Sequence, residues 1–124
     1  MLTSLLGILM LIGQRLDTSV VHSSDFSKDE LKTLAVGIAH SNELDVSQFL
    51  KVIECESGWN PKAKGDFVNG KPTSFGLVQL RFPERDWGLT KEEAMQPLTA
   101  METMAKAWKN GKQKRWTCYN LYDR

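Results

Sequence analysis

Two helix starts stand only eighteen residues apart in this chain, and they constrain its fold more than any other feature. Ser27-Lys28-Asp29-Glu30 is a capping box, in which the Ser27 hydroxyl accepts from a first-turn N–H and Glu30 reaches back. Leu31, Leu34, Ala35 and Ile38 follow at i, i+3, i+4 and i+7, one face of a helix expected to end near Ser41-Asn42. Asp45 then caps a second helix, with Gln48 three residues on and Phe49, Leu50, Val52 and Ile53 as its apolar stripe. It is expected to run to Ser57 and stop at Gly58.

Helical periodicity breaks between Asn60 and Thr73. Pro61, Gly65, Asn69-Gly70 and Pro72 are turn chemistry, and Phe67-Val68-Asn69-Gly70-Lys71 reads as a short two-residue hairpin. Phe75 to Leu80 is apolar but too short for its period to separate strand from helical turn. Thr90 and Glu93 repeat the capping-box spacing, and Pro97 suits the first turn of a last long helix. Leu98, Met101, Ala105 and Trp108 continue it at helical spacing, and Asn110-Gly111 ends it. The tail holds Trp116, Cys118, Tyr119 and Tyr122, too aromatic for a free linker. The expected class is mostly α (α+β), several helices around one short hairpin.

At 124 residues the chain is expected to hold one domain. Sixteen basic residues against fifteen acidic leave a net charge of +1, which gives no reason to expect nucleic-acid binding. Lys106, Lys109, Lys112, Lys114 and Arg115 do cluster. Their two readings are attraction to an anionic wall or membrane surface and a solvated helix face. Two Cys and two His (His22, His40), with no His-Glu-x-x-His, are too few for a zinc finger or a Cys-rich scaffold, so no metal or cofactor is expected. Leu5 to Gly13 is uncharged. The apolar stretch from Met1 is about a dozen residues, too short to span a bilayer but suited to the core of a secretory signal. Met1–Ser4 lacks Lys and Arg and no Ala-x-Ala follows, both departures from the usual signal pattern, while Ser19, Ser23 and Ser24 offer a weaker cleavage site. Residues 1–23 are therefore expected to be a signal peptide or N-terminal membrane anchor, with a folded domain over 24–124 in a secreted or extracytoplasmic protein. A buried helix of the domain is the alternative for the leader.

Glu56 is the first candidate for chemistry. At roughly 100° per residue it falls about 50° from the centre of the apolar face of its helix, whereas Glu54 falls about 110° away, toward solvent. A carboxyl group on the apolar side of a helix end is desolvated, which disfavours its charged form. A carboxylic acid kept protonated near neutral pH is what a glycosidase general acid requires. The bland alternative is a partly exposed Glu at a helix end.

Around it, Glu56-Ser57-Gly58-Trp59-Asn60-Pro61 and Ala63 are followed by Ser74-Phe75-Gly76-Leu77-Val78-Gln79, with Gln79 twenty-three residues after Glu56. This compound pattern resembles the transglycosylase (SLT) domain of the lysozyme-like superfamily, from roughly Leu31 to the C-terminus. The resemblance implies a lysozyme-like fold. It also implies cleavage of the MurNAc-GlcNAc β-1,4 bond of peptidoglycan, with Glu56 as acid and then base. The sugar's own N-acetyl or 6-hydroxyl group replaces a second carboxylate, and the product carries a 1,6-anhydro end. By the same resemblance Ser74 and Gln79 line the cleft, and Tyr119 is a further cleft residue. Trp59 and Phe75 either stack on sugar rings or belong to the core. Asp66, at the hairpin start, is either a turn residue or a second carboxylate, and Asp86 is a weaker version of the same idea. A working second carboxylate would make the chain a hydrolysing lysozyme (muramidase).

Cys55-Glu56-Ser57-Gly58 and Trp116-Thr117-Cys118 also resemble the resuscitation-promoting factors, which place one Cys beside the catalytic Glu and another after a C-terminal Trp. The Asn60-Pro61 half departs from that family, and its Ala-Tyr-Asn-x-Gly motif survives only as Cys118-Tyr119-Asn120-Leu121. The resemblance implies a Cys55–Cys118 disulfide. On the helical wheel Cys55 lies about 150° from the apolar centre, toward another element. The two Cys of an exported protein usually pair. Two free thiols in a cytosolic protein, or a Cys nucleophile helped by His40, are the alternatives. Peptidoglycan strands are the expected partner, the leader is the expected route to any membrane, and a monomer is expected. The rival classes are a non-catalytic cell-wall glycan-binding module and a disulfide-stapled interaction domain.

Overall fold

A computed structural model describes residues 26–83 and 87–122. The leader over 1–23 and Asp86 lie outside the described residues. Helix α1 spans Lys28–Ser41 behind a complete capping box, in which Ser27 Oγ accepts from Glu30 N–H at 3.1 Å and Ser27 N–H donates to Glu30 Oε1 at 2.8 Å. Helix α2 spans Val46–Ser57, is capped by Asp45 through the Gln48 N–H, and stops at Gly58 in the left-handed region (φ 61°). Both helices begin and end where the sequence places them.

Three two-residue strands follow: β1 (Lys64–Gly65), β2 (Ser74–Phe75) and β3 (Leu80–Arg81). They form an antiparallel sheet in chain order, with Lys64 opposite Phe75, Gly65 opposite Ser74, Ser74 opposite Arg81 and Phe75 opposite Leu80. This corrects the expectation of one short hairpin. Asn69 (φ 52°) and Gly70 (φ 78°) do make a tight turn, closed by reciprocal Val68 and Lys71 backbone bonds of 2.8 and 3.0 Å. That turn is only the tip of the β1–β2 connection, and the Phe75–Leu80 stretch supplies a second turn and a third strand. Strands this short carry no readable alternation.

Helix α3 (Lys91–Ala94) starts at the Thr90–Glu93 capping box, and α4 (Pro97–Lys109) has Pro97 in its first turn and Asn110 as its cap. A 3₁₀ turn (Gln113–Arg115) leads into α5 (Thr117–Tyr122). The described chain is thus mostly helical with a small antiparallel sheet, and among the described residues no helix is long and apolar enough to cross a membrane.

The helices bury their stripes on one another. α1 packs on α2 and α4, and α2 packs on α5. Leu31, Phe49, Ile53, Leu77, Leu80, Met101 and Met104 are fully buried in a single core. Phe49 meets the Trp108 ring edge-on at 5.4 Å, and Trp108 also meets Trp116 (6.4 Å) and Tyr119 (5.4 Å). These pairs draw the C-terminal tail onto α2 and α4. Leu98, expected on the α4 stripe, is instead 40% exposed in the first turn of that helix.

Gly76 (φ 89°) is where the β2–β3 turn passes α3. A Cβ there would collide with the Ala94 carbonyl oxygen and lie 3.3 Å from Met95 Cα. Both obstacles are backbone and cannot swing away. Gly76→Ala is expected to cost roughly 2–4 kcal/mol, combining left-handed strain with overpacking. Urea denaturation beside Gly70→Ala, where a Cβ meets nothing within 4 Å, measures it. Equal losses at the two positions would mean that strain alone matters and that α3 yields.

Candidate functional site

The site begins at the C-terminal end of α2. Gly58 N–H donates to the Glu54 carbonyl at 2.8 Å, closing the helix and turning the chain so that Trp59 (φ 70°) plugs into the core at 4% exposure. Glu54 and Glu56 then meet different surroundings. Glu54 points outward and pairs with Lys28 at 3.8 Å, both side chains being about half exposed. Glu56 is half-buried, and its carboxyl is pushed up to about 7, chiefly by burial. A backbone hydrogen bond from Cys118 works against that rise, and the negative charge of Asp66 adds to it.

The Cys118 contact comes from the start of α5. The first N–H groups of a helix lack intrahelical partners. Cys118 N–H, the second in α5, donates to Glu56 Oε2 at 3.2 Å, so Glu56 serves as a side-chain cap for a helix sixty-two residues downstream. The neighbouring residue locks the same junction: Cys55 and Cys118 form a disulfide with a Cα–Cα distance of 6.0 Å. Trp116 anchors the approach to α5 by donating its indole N–H to the Val78 carbonyl at 2.8 Å.

The two halves of the sequence motif meet at one atom. Asn60 to Ala63 forms a turn, with Asn60 Oδ1 accepting from Lys62 N–H at 3.0 Å and Ala63 N–H donating to Asn60 O at 3.1 Å. The Ala63 carbonyl then accepts from Gly76 N–H at 2.8 Å and from Gln79 Nε2 at 3.1 Å. Gln79 also donates to the Gly76 carbonyl at 2.9 Å. Its Oε1 sits so close to Gly65 that a Cβ there would collide with it. Gln79 itself holds a left-handed backbone (φ 53°). Both of its amide hydrogens are therefore spent on backbone carbonyls, and it acts on the site by fixing the loops that frame it.

Asp66 lies between β1 and β2 with φ 51°, and its carboxylate accepts the Ser74 hydroxyl hydrogen. Ser74 is fully buried in β2, so its hydroxyl holds Asp66 from within the sheet. Asp66 thus takes a left-handed backbone in the β1–β2 connection, and its charge contributes to the raised Glu56 carboxyl. Phe67 and Val68, next along the chain, are 62% and 49% exposed.

Not every candidate gathers here. Phe75 is 5% exposed and packs edge-on against Phe82 at 6.0 Å. Its ring therefore belongs to the core and offers little face to a ligand, a correction to its reading as a stacking surface. Trp59 is buried likewise. Tyr119 is half-buried on α5 beside Cys118, with its ring edge on Trp108. The group that sequence reasoning missed is the Cys118 main-chain N–H, because no residue type marks a backbone donor. Among the described residues no group of three His, Cys, Asp or Glu gathers as metal ligands do.

Comparison with known proteins finds no match to this chain, neither a family model, nor a curated protein, nor a solved structure.

Proposed function

We propose that this chain is an exported peptidoglycan lytic transglycosylase with a lysozyme-like fold, cleaving the MurNAc-GlcNAc β-1,4 bond with Glu56 as its acid and base. One observation carries the proposal: a half-buried carboxyl group raised to about 7, held on a rigid helix end by a disulfide-locked backbone donor. At pH 6 such a group is about nine-tenths protonated and ready to donate. Glu56 gives its proton to the glycosidic oxygen as the C1–O bond breaks and positive charge develops on the sugar. The resulting carboxylate then takes the proton of the sugar's 6-hydroxyl as that oxygen bonds to C1. A 1,6-anhydro end results, and no water is consumed. The resemblance of residues 56–63 and 74–79 to the SLT pattern supports this reading, as does the junction of those segments at the Ala63 carbonyl.

A second reading, the hydrolysing lysozyme, is favoured by Asp66. Its carboxylate is oriented by Ser74, and its charge acts on Glu56. An ionised Asp66 would stabilise the positive sugar while Glu56 activates a water.

Digestion of purified peptidoglycan, with the products weighed, separates these readings. The expected result is soluble fragments with 1,6-anhydro ends. Fragments heavier by one water would replace the transglycosylase with a muramidase and make Asp66→Asn the next variant. Binding to peptidoglycan without release, by folded protein, would overturn both and leave a glycan-binding module.

A further inference from the structure

The basic cluster near the C-terminus is not a uniform charged face. Between Pro97 and Trp116 there are five basic residues and one acidic, in a chain whose net charge is only +1. Three of the five converge on a concave recess of about 240 Å³, lined by Lys106, Lys112 and Arg115 with Trp87, Thr103 and Asn110. Lys109 and Lys114 do not line it. No acidic side chain lines it among the described residues, and Glu102, one turn before Lys106, instead faces the groove beside α1.

The recess is also held in shape. Trp87 donates its indole N–H to the Arg81 carbonyl at 3.0 Å, which orients its ring, and it packs on Trp116 with 5.8 Å between centroids. The Arg115 guanidinium lies over that ring at 5.8 Å. A guanidinium held near a ring face still presents planar N–H donors that suit a planar or tetrahedral anion. The usual bland role for such cations, satisfying the last carbonyls of a helix, is already filled by backbone. Asn110 N–H donates to the Lys106 and Ala107 carbonyls, Gly111 N–H to Trp108 and Lys112 N–H to Ala107.

We infer that the recess formed by Trp87, Lys106, Lys112 and Arg115 is a binding site for a phosphate-type anion, separate from the Glu56 site. Three converging cations suit a multiply charged oxyanion better than a single carboxylate. Thr103 and Asn110 add neutral hydrogen-bonding groups, and the ring of Trp87 suits a sugar or polyol carrying the phosphate. The recess admits one such group from a soluble molecule or polymer. A membrane surface would instead call for apolar side chains projecting from the basic rim, and the two apolar residues here, Trp87 and Ala107, are half-buried.

The test is an NMR titration of the full chain at constant ionic strength, following the Trp87 indole N–H. The ligands are inorganic phosphate, acetate, a short glycerol-phosphate oligomer, and vesicles of phosphatidylglycerol and phosphatidylcholine. Saturable shifts with phosphate and tighter binding of the oligomer are expected, with acetate weaker. Lys106→Gln/Lys112→Gln should weaken phosphate binding about tenfold or more. Lys109→Gln/Lys114→Gln, with the same loss of charge, should change it less than about twofold, as a screened surface effect. Equal losses in the two pairs would reduce the site to a general positive field and overturn the inference. So would shifts that do not saturate, or binding to vesicles without binding to the oligomer. Neither pair touches Glu56, so peptidoglycan digestion by both variants keeps this outcome separate from that of the proposed activity.

Discussion

Glu56→Gln is expected to abolish peptidoglycan release, by about 10²–10⁴-fold, while making the folded chain more stable above pH 7. The two effects share a cause. Burial holds the Glu56 carboxyl at about 7 against an ordinary value of 4.5, so the folded state prefers the protonated form. Below about pH 4.5 Glu56 is protonated whether the chain is folded or not, and it adds no pH dependence. Between 4.5 and 7 the unfolded chain ionises first, and stability falls as pH rises. Above 7 both states are ionised, and the folded state carries a penalty of at most about 3 kcal/mol, set by the shift and eased by partial solvent access. Glutamine keeps the shape, can still accept from Cys118 N–H and never ionises. The variant should therefore match the parent in urea at pH 4 and exceed it at pH 8. Parent activity should decline through pH 7 as the acid form disappears. A variant with unchanged digestion would remove Glu56 from the chemistry. Identical stability profiles would show that it does not titrate near 7.

Replacing both cysteines by serine is the second large effect. The bridge joins residues 63 apart in sequence, and closing a loop of that size stabilises by about 4 kcal/mol in the chain-entropy account. The double variant should lose about that much in denaturant at pH 6, a large share of what a small domain possesses. A more specific consequence concerns Glu56. The bridge holds the start of α5 against Glu56, supplying the Cys118 N–H and helping to exclude water. Loss of the hydrogen bond alone would raise the carboxyl further, and loss of burial would lower it. Burial is the larger influence, so the net movement should be down toward 4.5. NMR titration of the labelled carboxyl, before and after reduction in folded protein, reads this directly. A carboxyl that still titrates near 7 after reduction would show that α5 is not what keeps it dry.

Much of this geometry is legible along the chain because its causes are local. Ser27 and Glu30, Asp45 and Gln48, and Thr90 and Glu93 are three residues apart, and each pair both defines and caps a helix start. The contrast between Glu54 and Glu56 follows from two residues of rotation on one helix, and the structure reproduces it in the Lys28 pair and the buried carboxyl. The Cys55–Cys118 bridge, expected from resemblance and wheel position, is present. The sheet was less readable, since strands of two residues leave no alternation to follow, and Phe75 shows how an aromatic beside a motif can belong wholly to the core.

Read alone, the sequence determined where helices start and stop, which carboxylate faces inward and which segments must turn, because capping and periodicity act within one or two helical turns. The tertiary structure alone decided that Glu56 caps α5 through the Cys118 N–H, that Ala63 O joins the two motif halves, and that Ser74 holds Asp66 within electrostatic reach. It also decided that three of five basic side chains share a recess with Trp87. The hydrogen bonds among these join residues eight to sixty-two positions apart, and several use main-chain groups that every residue carries. Only the packing of the core determines which of them meet.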